Sequence, residues 1–265
     1  MDVKKLFDLS EKTIILTGAA GFLGSSYADG LSQVGANVVL CDVNFDGCKK
    51  IEKKIKKKYN VEPMSVKLDI TNSQSIKNLV SKVSKKYTKI DVLINNAVYQ
   101  GNNKIRTMGF ENLDINSWNK AMDVNLTGVF RLCQQVGKIM RKQKFGNVIN
   151  VSSIYGIVGA DQRIYGSSGL NSSVFYATTK SAVLNLTRYL ASYWNRTGIR
   201  VNTLSPGGVQ NNQQKNFIKK YSEKTMIGRM AKNDELVGAL VFLSSDASSY
   251  MTGSNLVIDG GWTAW

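Results

Sequence analysis

The chain has 265 residues, 43% of them apolar and 20% charged, with 23 glycines and two prolines: a globular composition, long enough to bury a core. It contains no histidine. That excludes Ser-His-Asp and Cys-His nucleophiles, HExxH zinc sites and His-ligated haem, and it leaves proton transfer to Tyr, Lys, Asp, Glu, Cys or bound water. The formal charge of +16 comes from 27 lysines and 8 arginines spread along the chain, without aromatic interleaving or a nucleic-acid-binding motif. We read it as a solvated surface that can attract anionic ligands from a distance, and we expect no nucleic-acid partner.

Near the start, residues 1–7 lack the apolar stretch of a signal peptide. No segment approaches the roughly 20 apolar residues of a membrane span, so the expected location is the cytoplasm. Short β-branched runs at 13–17, 37–41, 64–68, 90–94, 147–151, 199–204 and 255–258 read as seven strands. Between them lie segments of helical spacing. One is the lysine-rich stretch 49–58, where Ile51 and Ile55 make a single apolar stripe. Two longer ones cover 126–140 and 177–194. Strands that are apolar on both sides, alternating with helices, imply a parallel sheet covered on both faces. The expected fold is therefore one doubly wound α/β domain over residues 1–265, a seven-stranded Rossmann arrangement with ligands at the carboxyl ends of the strands. Cys41, Cys48 and Cys133 form no CxxC pair and read as reduced packing residues, and no metal site is expected.

The first strand runs into Thr17-Gly18-Ala19-Ala20-Gly21-Phe22-Leu23-Gly24. Small residues in a strand-to-helix turn let backbone amides approach a pyrophosphate, and the helix start adds partial positive charge. Asp42 follows 24 residues after Gly18, at the end of the second strand, where a carboxylate can accept both ribose hydroxyls of an adenosine and repel a 2′-phosphate. The turn itself carries no Arg or Lys. These residues favour NAD over NADP; the alternative for Asp42 is a plain strand-end cap. Further on, Tyr176 and Lys180 stand four apart on one helix face. A free phenol, with a pKa of about 10, is a poor acid or base at neutral pH, and a neighbouring cation favours its ionised form.

In order along the chain, the glycine turn, Asp69-Ile70-Thr71, Asn95-Asn96-Ala97, Asn125, Ser152-Ser153, Tyr176 with Lys180, Ser205-Pro206-Gly207-Gly208-Val209 and Asp259-Gly260-Gly261 resemble the short-chain dehydrogenase/reductase family over nearly the full length. The resemblance implies that Tyr176 is the general acid/base and that Lys180 lowers its pKa and holds the nicotinamide ribose. Ser153 would bond the substrate oxygen, and Asn125 would hold a water in the proton relay. For the dinucleotide it implies Gly18, Ala20, Gly21, Phe22, Leu23 and Gly24 at the turn, and Asp69 and Ile70 by the adenine. Asn96 would lie by the adenosine-side ribose and the Val209 backbone by the carboxamide, with Ala97, Pro206 and Gly207 also contacting the cofactor. It also implies a homodimer or homotetramer built on the two long helices, using Val129, Phe130, Leu132, Val136 and Ile139 on one and Leu184, Leu186, Tyr189, Leu190 and Trp194 on the other.

Two departures from the family pattern stand out. Phe22 occupies a position that is small in most single-domain members, which puts the pyrophosphate contact in question. Ser153 and Tyr176 lie 23 positions apart, roughly a dozen being usual, and the surplus falls in the polar stretch 160–173. With Tyr155 and Asn211, Arg163 in that stretch is a candidate for binding a polyhydroxylated or anionic substrate; its alternative partner is Asp161. The long loop resembles that of members in bacterial surface-sugar and flagellin-glycan (nonulosonate) pathways. The expected function is thus NAD-dependent interconversion of a secondary alcohol and a ketone on a sugar or sugar derivative. The rival readings are a 3-oxoacyl thioester reductase and a non-enzymatic NAD-binding regulatory protein.

Overall fold

The computed structural model describes residues 2–265. Seven strands make one sheet: β1 (Thr13–Thr17), β2 (Asn37–Asp42), β3 (Met64–Lys67), β4 (Val92–Asn95), β5 (Gly146–Val151), β6 (Ile199–Pro206) and β7 (Asn255–Ile258). Every neighbouring pair is parallel, in the order β3-β2-β1-β4-β5-β6-β7. The winding reverses between β1 and β4, which opens a crevice at the carboxyl ends of those two strands. The expected strands are present with small shifts at their ends. The fourth begins at Val92 instead of Ile90, because the buried Asp91 carboxylate takes the place of a ladder partner and accepts the Thr13 amide at 2.8 Å.

Eight helices of at least two turns cover the sheet: α1 (Phe22–Gln33), α2 (Phe45–Lys58), α3 (Ser73–Lys86), α4 (Ile115–Met122), α5 (Gly128–Gln143), α6 (Val174–Tyr193), α7 (Lys215–Ser222) and α8 (Val237–Ser244). Side chains that alternate along each strand separate the core into two layers. Ile14 and Leu16 of β1 pack with Tyr27, Leu31, Ile55 and Leu240 on the face covered by α1, α2 and α8. Ile15 packs with Ile76, Leu79, Leu132 and Val136 on the face covered by α3 and α5. The lysine-rich segment is the outer face of α2, with Cys48 and Ile55 buried beneath it. All three cysteines are free and buried.

The helix expected from Leu126 starts earlier, as a π-helical turn over Asp123–Thr127 that runs into α5. Of the apolar residues expected to leave these helices for a subunit interface, Val129, Leu132, Val136, Leu184 and Trp194 are buried in the core of the chain itself. Those left exposed are Phe130 and Tyr189, and the neighbouring Tyr193, which was not among the expected residues, is exposed as well. Among the described residues no helix is long and apolar enough to cross a membrane.

Candidate active site

The crevice opens into a cleft of about 1030 Å³ at the carboxyl edge of the sheet. At one end lies the glycine turn. Gly18 has φ +66°, and a Cβ there would stand 2.8 Å from the Ala97 Cα; a Cβ on Gly24 would stand 2.0 Å from the Gly18 carbonyl oxygen. The turn thus closes on itself and on the loop after β4 at positions only glycine can fill. Helix α1 begins with Gly21 as its N-cap and no side chain capping it, so the first-turn amides stay open toward the cleft. Such a start is suited to a pyrophosphate. Phe22 occupies the first position of α1 with ordinary helical backbone and a side chain 41% exposed, so its bulk leaves the turn intact.

Asp42, at the end of β2, reaches the same cleft. One carboxylate oxygen accepts the Ala20 amide at 3.0 Å and the other accepts the Asn44 amide at 2.9 Å. It therefore fastens the glycine turn as a cap would, and its spare lone pairs face the cleft. Asn96 is similarly engaged: its amide nitrogen donates to the carbonyls of Thr17 at 3.0 Å and Gly18 at 3.2 Å. Asn96 lines the cleft where the adenosine-side ribose is expected, and its two side-chain donors hold the turn. The hydroxyl of Thr17, which sequence reasoning passed over, accepts the amides of both Asn96 and Ala97. Asp69 binds the amide and hydroxyl of Thr71, and with Ile70 it lines the cleft.

Beyond the turn, β5 ends at Ser152 and Ser153, and α6 brings Tyr176 and Lys180 against them. Ser152 donates from its hydroxyl to the Lys180 carbonyl at 2.7 Å, tying the strand end to the helix. Lys180 is 6% exposed, donates from Nζ to the Val151 carbonyl at 2.6 Å and stands 5.8 Å from the centre of the Tyr176 ring. Burial brings its ammonium down to about 8. Burial pushes the Tyr176 phenol up, and the Ser153 hydroxyl bonded to it pulls partly back. The Lys180 ammonium is bonded to the Val151 carbonyl and lies over the Tyr176 ring.

Asn125 lies in the π-helical turn, a distortion that often accompanies function. Its side chain accepts the Tyr99 amide at 2.7 Å and donates to the Tyr99 carbonyl at 2.9 Å, so it pins the loop after β4 to the helix. Pro206, Gly207 and Val209 follow β6 along the cleft wall. The Gly207 amide donates to the Ile258 carbonyl at 2.9 Å, and the Gly208 amide donates to the Tyr221 hydroxyl.

The stretch 160–173 is packed, not loose. A short turn at Gln162–Tyr165 buries Ile164 against Ile154, Tyr221, Met230 and Trp262. Tyr155, Tyr165 and Asn211 line the cleft. Arg163 does not: its side chain is 84% exposed and bonded to Asp161 through both Nε and Nη2, each at 2.9 Å. The expectation that Arg163 meets substrate is corrected by its own turn, which points it outward to the carboxylate two residues back. The arginine that does line the cleft is Arg106. It ends a one-turn helix, Asn103–Arg106, in the connection after Asn95-Asn96-Ala97, and its place past a strand's carboxyl end was the available signal.

Residues 18–263 match the family model described as Enoyl-(Acyl carrier protein) reductase. The chain is 31% identical over 254 residues to the Post-translational flagellin modification protein A of Campylobacter coli, covering 96% of this chain and 99% of that one. The chain belongs to the short-chain dehydrogenase/reductase family. Solved family structures superpose along its whole length. A short chain dehydrogenase from Leptospira borgpetersenii with bound NAD+ gives a TM-score of 0.85 at 34% identity, covering 99% of this chain and 97% of that chain. A gluconate 5-dehydrogenase from Burkholderia cenocepacia in complex with NADP and tartrate gives 0.89 at 27% identity, covering 100% of both. The family is one of nicotinamide-dependent oxidoreductases acting on alcohols and sugars, and both dinucleotides occur among these neighbours.

Proposed function

We propose that this protein is an NAD-dependent oxidoreductase that interconverts a secondary alcohol and a ketone on a sugar or sugar derivative. The observation that carries this reading is the convergence, in one cleft, of Ser153, Tyr176 and Lys180 with an uncapped helix start and with Asp42. These residues fit a dinucleotide. The open amides of α1 would take its pyrophosphate, Asp42 its adenosine ribose and Lys180 its other ribose. When bound, the nicotinamide supplies the acceptor or donor of hydride.

The chain's own residues handle the proton. Ser153 Oγ donates to the substrate oxygen and fixes it beside Tyr176. In oxidation the Tyr176 phenolate takes the hydroxyl proton; in reduction the phenol returns it. Lys180, charged at neutral pH because its depressed pKa is still about 8, supplies positive charge close to the phenol as it ionises. The Asn125 main chain, set in the π-helical turn, would hold the water that passes the proton outward.

A second reading, reduction of a 3-oxoacyl thioester, is favoured by the description of the matching family model. Asp42 argues against it, because such biosynthetic reductases usually take NADP and a carboxylate there repels its phosphate. The deciding assay follows NADH absorbance over a panel of polyols and sugars with NAD, and over an acetoacetyl thioester with NADPH. Turnover of polyols with NAD that Tyr176→Phe nearly abolishes, with NAD binding intact, supports the first reading. Efficient thioester reduction with NADPH alone replaces it.

A further inference from the structure

The charges that line the cleft are sorted by sign. They are Asp42, Asp69, Asp123, Lys180, Arg106 and Lys120. Asp42 and Asp69 follow β2 and β3 at the dinucleotide end, and Asp123 is already paired with Arg131 at 2.8 Å. Around the loop 160–173 the lining is Tyr155, Tyr165, Asn171, Ser172 and Ser173, with Asn211 and Gln213 opposite and no carboxylate. Arg106 belongs to this end. The Asn171 amide donates to its carbonyl at 2.8 Å, and the Asn171 side chain donates to the Met108 carbonyl at 2.6 Å, so the loop clamps the backbone that carries the arginine. Tyr165 lines the same cleft as Arg106 and Tyr176.

Arg106 is half-buried, and among the described residues it forms no salt bridge. Arg131, Arg163 and Arg229 each hold a carboxylate; of the arginines without one, Arg106 is the one that lines the cleft. A partly desolvated guanidinium without a counter-charge is costly, and its planar fork matches two oxygens of one anionic group.

We propose that Arg106, backed by Tyr165 and clamped by Asn171, is the specificity-determining residue for an anionic group on the substrate, a carboxylate or a phosphate ester. The inference rests on the dehydrogenase reading and narrows it: the substrate is an acidic sugar derivative, not a neutral polyol. Lys120 stands 4.9 Å from the Tyr99 ring at the cleft wall and reinforces the same field.

The test titrates the NADH-loaded protein with D-gluconate, D-glucose 6-phosphate and neutral D-glucitol, and measures NAD reduction with the same three. The expected result is binding of at least one anionic probe tenfold or more tighter than D-glucitol, with the same order in kcat/KM where turnover occurs; which anion wins separates carboxylate from phosphate. Arg106→Gln should erase that advantage through KM, leaving NADH affinity and D-glucitol binding unchanged. Arg106→Lys should restore part of it, and unchanged NADH affinity shows that each variant is folded. Equal binding of all three probes, no binding of either anion, or an advantage that survives Arg106→Gln overturns the inference and leaves the dehydrogenase reading standing. Failure to bind NADH at all overturns the dehydrogenase reading itself.

Discussion

Lys180 sends its ammonium to the Val151 carbonyl at 2.6 Å, the end of β5 and one residue before the serine pair. A helix residue thereby holds the strand end that presents Ser153, at the cost of burying a charge. Burial lowers its pKa from 10.5 to about 8. Below pH 8 it is protonated in both folded and unfolded chains, and the folded state carries the whole penalty. Between 8 and 10.5 the unfolded chain binds more protons, so this group makes stability rise with pH, by about 3 kcal/mol in all. Lys180→Met removes the charge and keeps the volume. Urea unfolding at pH 7 should find the variant at least as stable as the parent, less about 1 kcal/mol for the lost carbonyl bond. The difference between parent and variant should then climb in the parent's favour toward pH 10. Parallel curves would show that the ammonium is not held down by burial. Activity should be lost throughout.

Asp42 does two jobs that two substitutions separate. Its oxygens accept the Ala20 and Asn44 amides, and its charge faces the cleft. NAD should bind at least tenfold more tightly than NADP, about 1.4 kcal/mol or more. Asp42→Asn keeps one acceptor oxygen and removes the repulsion, so NADP affinity should rise with little loss of NAD. Asp42→Ala also frees the turn, and NAD affinity should fall as well. Fluorescence titration of the parent and both variants with the two reduced dinucleotides measures all six constants. Equal affinity of the unaltered protein for both cofactors would end the assignment.

The fold was legible because its strands are apolar on both sides and evenly spaced, so strand number and parallel pairing follow from pattern alone. The glycine turn, Tyr176 and Lys180 were legible because rigid elements place them at fixed offsets. What escaped was set by tertiary contact. Asn96 and Asn125 look like ligand-binding amides in sequence, and the structure adds a job that only tertiary contact sets: one holds the turn, the other Tyr99. No local signal distinguishes such a staple from a free amide. Arg106 and Arg163 show the same limit for charge. Which of them reaches the cleft depends on the partner that folding brings to each, and the nearer carboxylate belongs to Arg163.

The exposed aromatics of α5 and α6 lead to a prediction about assembly. Phe130 is 49% exposed, and Tyr189 and Tyr193 are 63% and 60% exposed with rings stacked 6.0 Å apart. Three large side chains left in water on two long helices suit a self-complementary surface. Light scattering at micromolar concentration should report a dimer or tetramer. The double substitution Tyr189→Asp with Tyr193→Asp should shift it to monomer while far-ultraviolet circular dichroism stays unchanged. A monomeric mass for the unaltered protein would exclude the assembly.

Arg163 is the control for the substrate subsite, since the same loop carries it outside the cleft. Its guanidinium holds Asp161 at two points, and Lys224 meets the same carboxylate, which keeps the Asp161 carboxyl below its usual range. With the Arg163 side chain 84% exposed, water screens this pair, and such surface pairs contribute little to stability. Arg163→Ala leaves Lys224 on Asp161, and the Asp161 carboxylate still caps the turn by accepting the residue 163 amide at 3.0 Å. The urea midpoint of unfolding should therefore scarcely change. On the substrate that Arg106 selects, kcat and KM should both stay within about twofold of the parent, under 0.5 kcal/mol of transition-state binding. Asp161→Ala should cost more stability, because it removes the cap and leaves two cations without their shared partner. A rise in KM of tenfold or more for Arg163→Ala, with the fold intact, would mean that the 162–165 turn swings its arginine into the cleft when substrate binds, and the outward pairing would then describe only the resting protein.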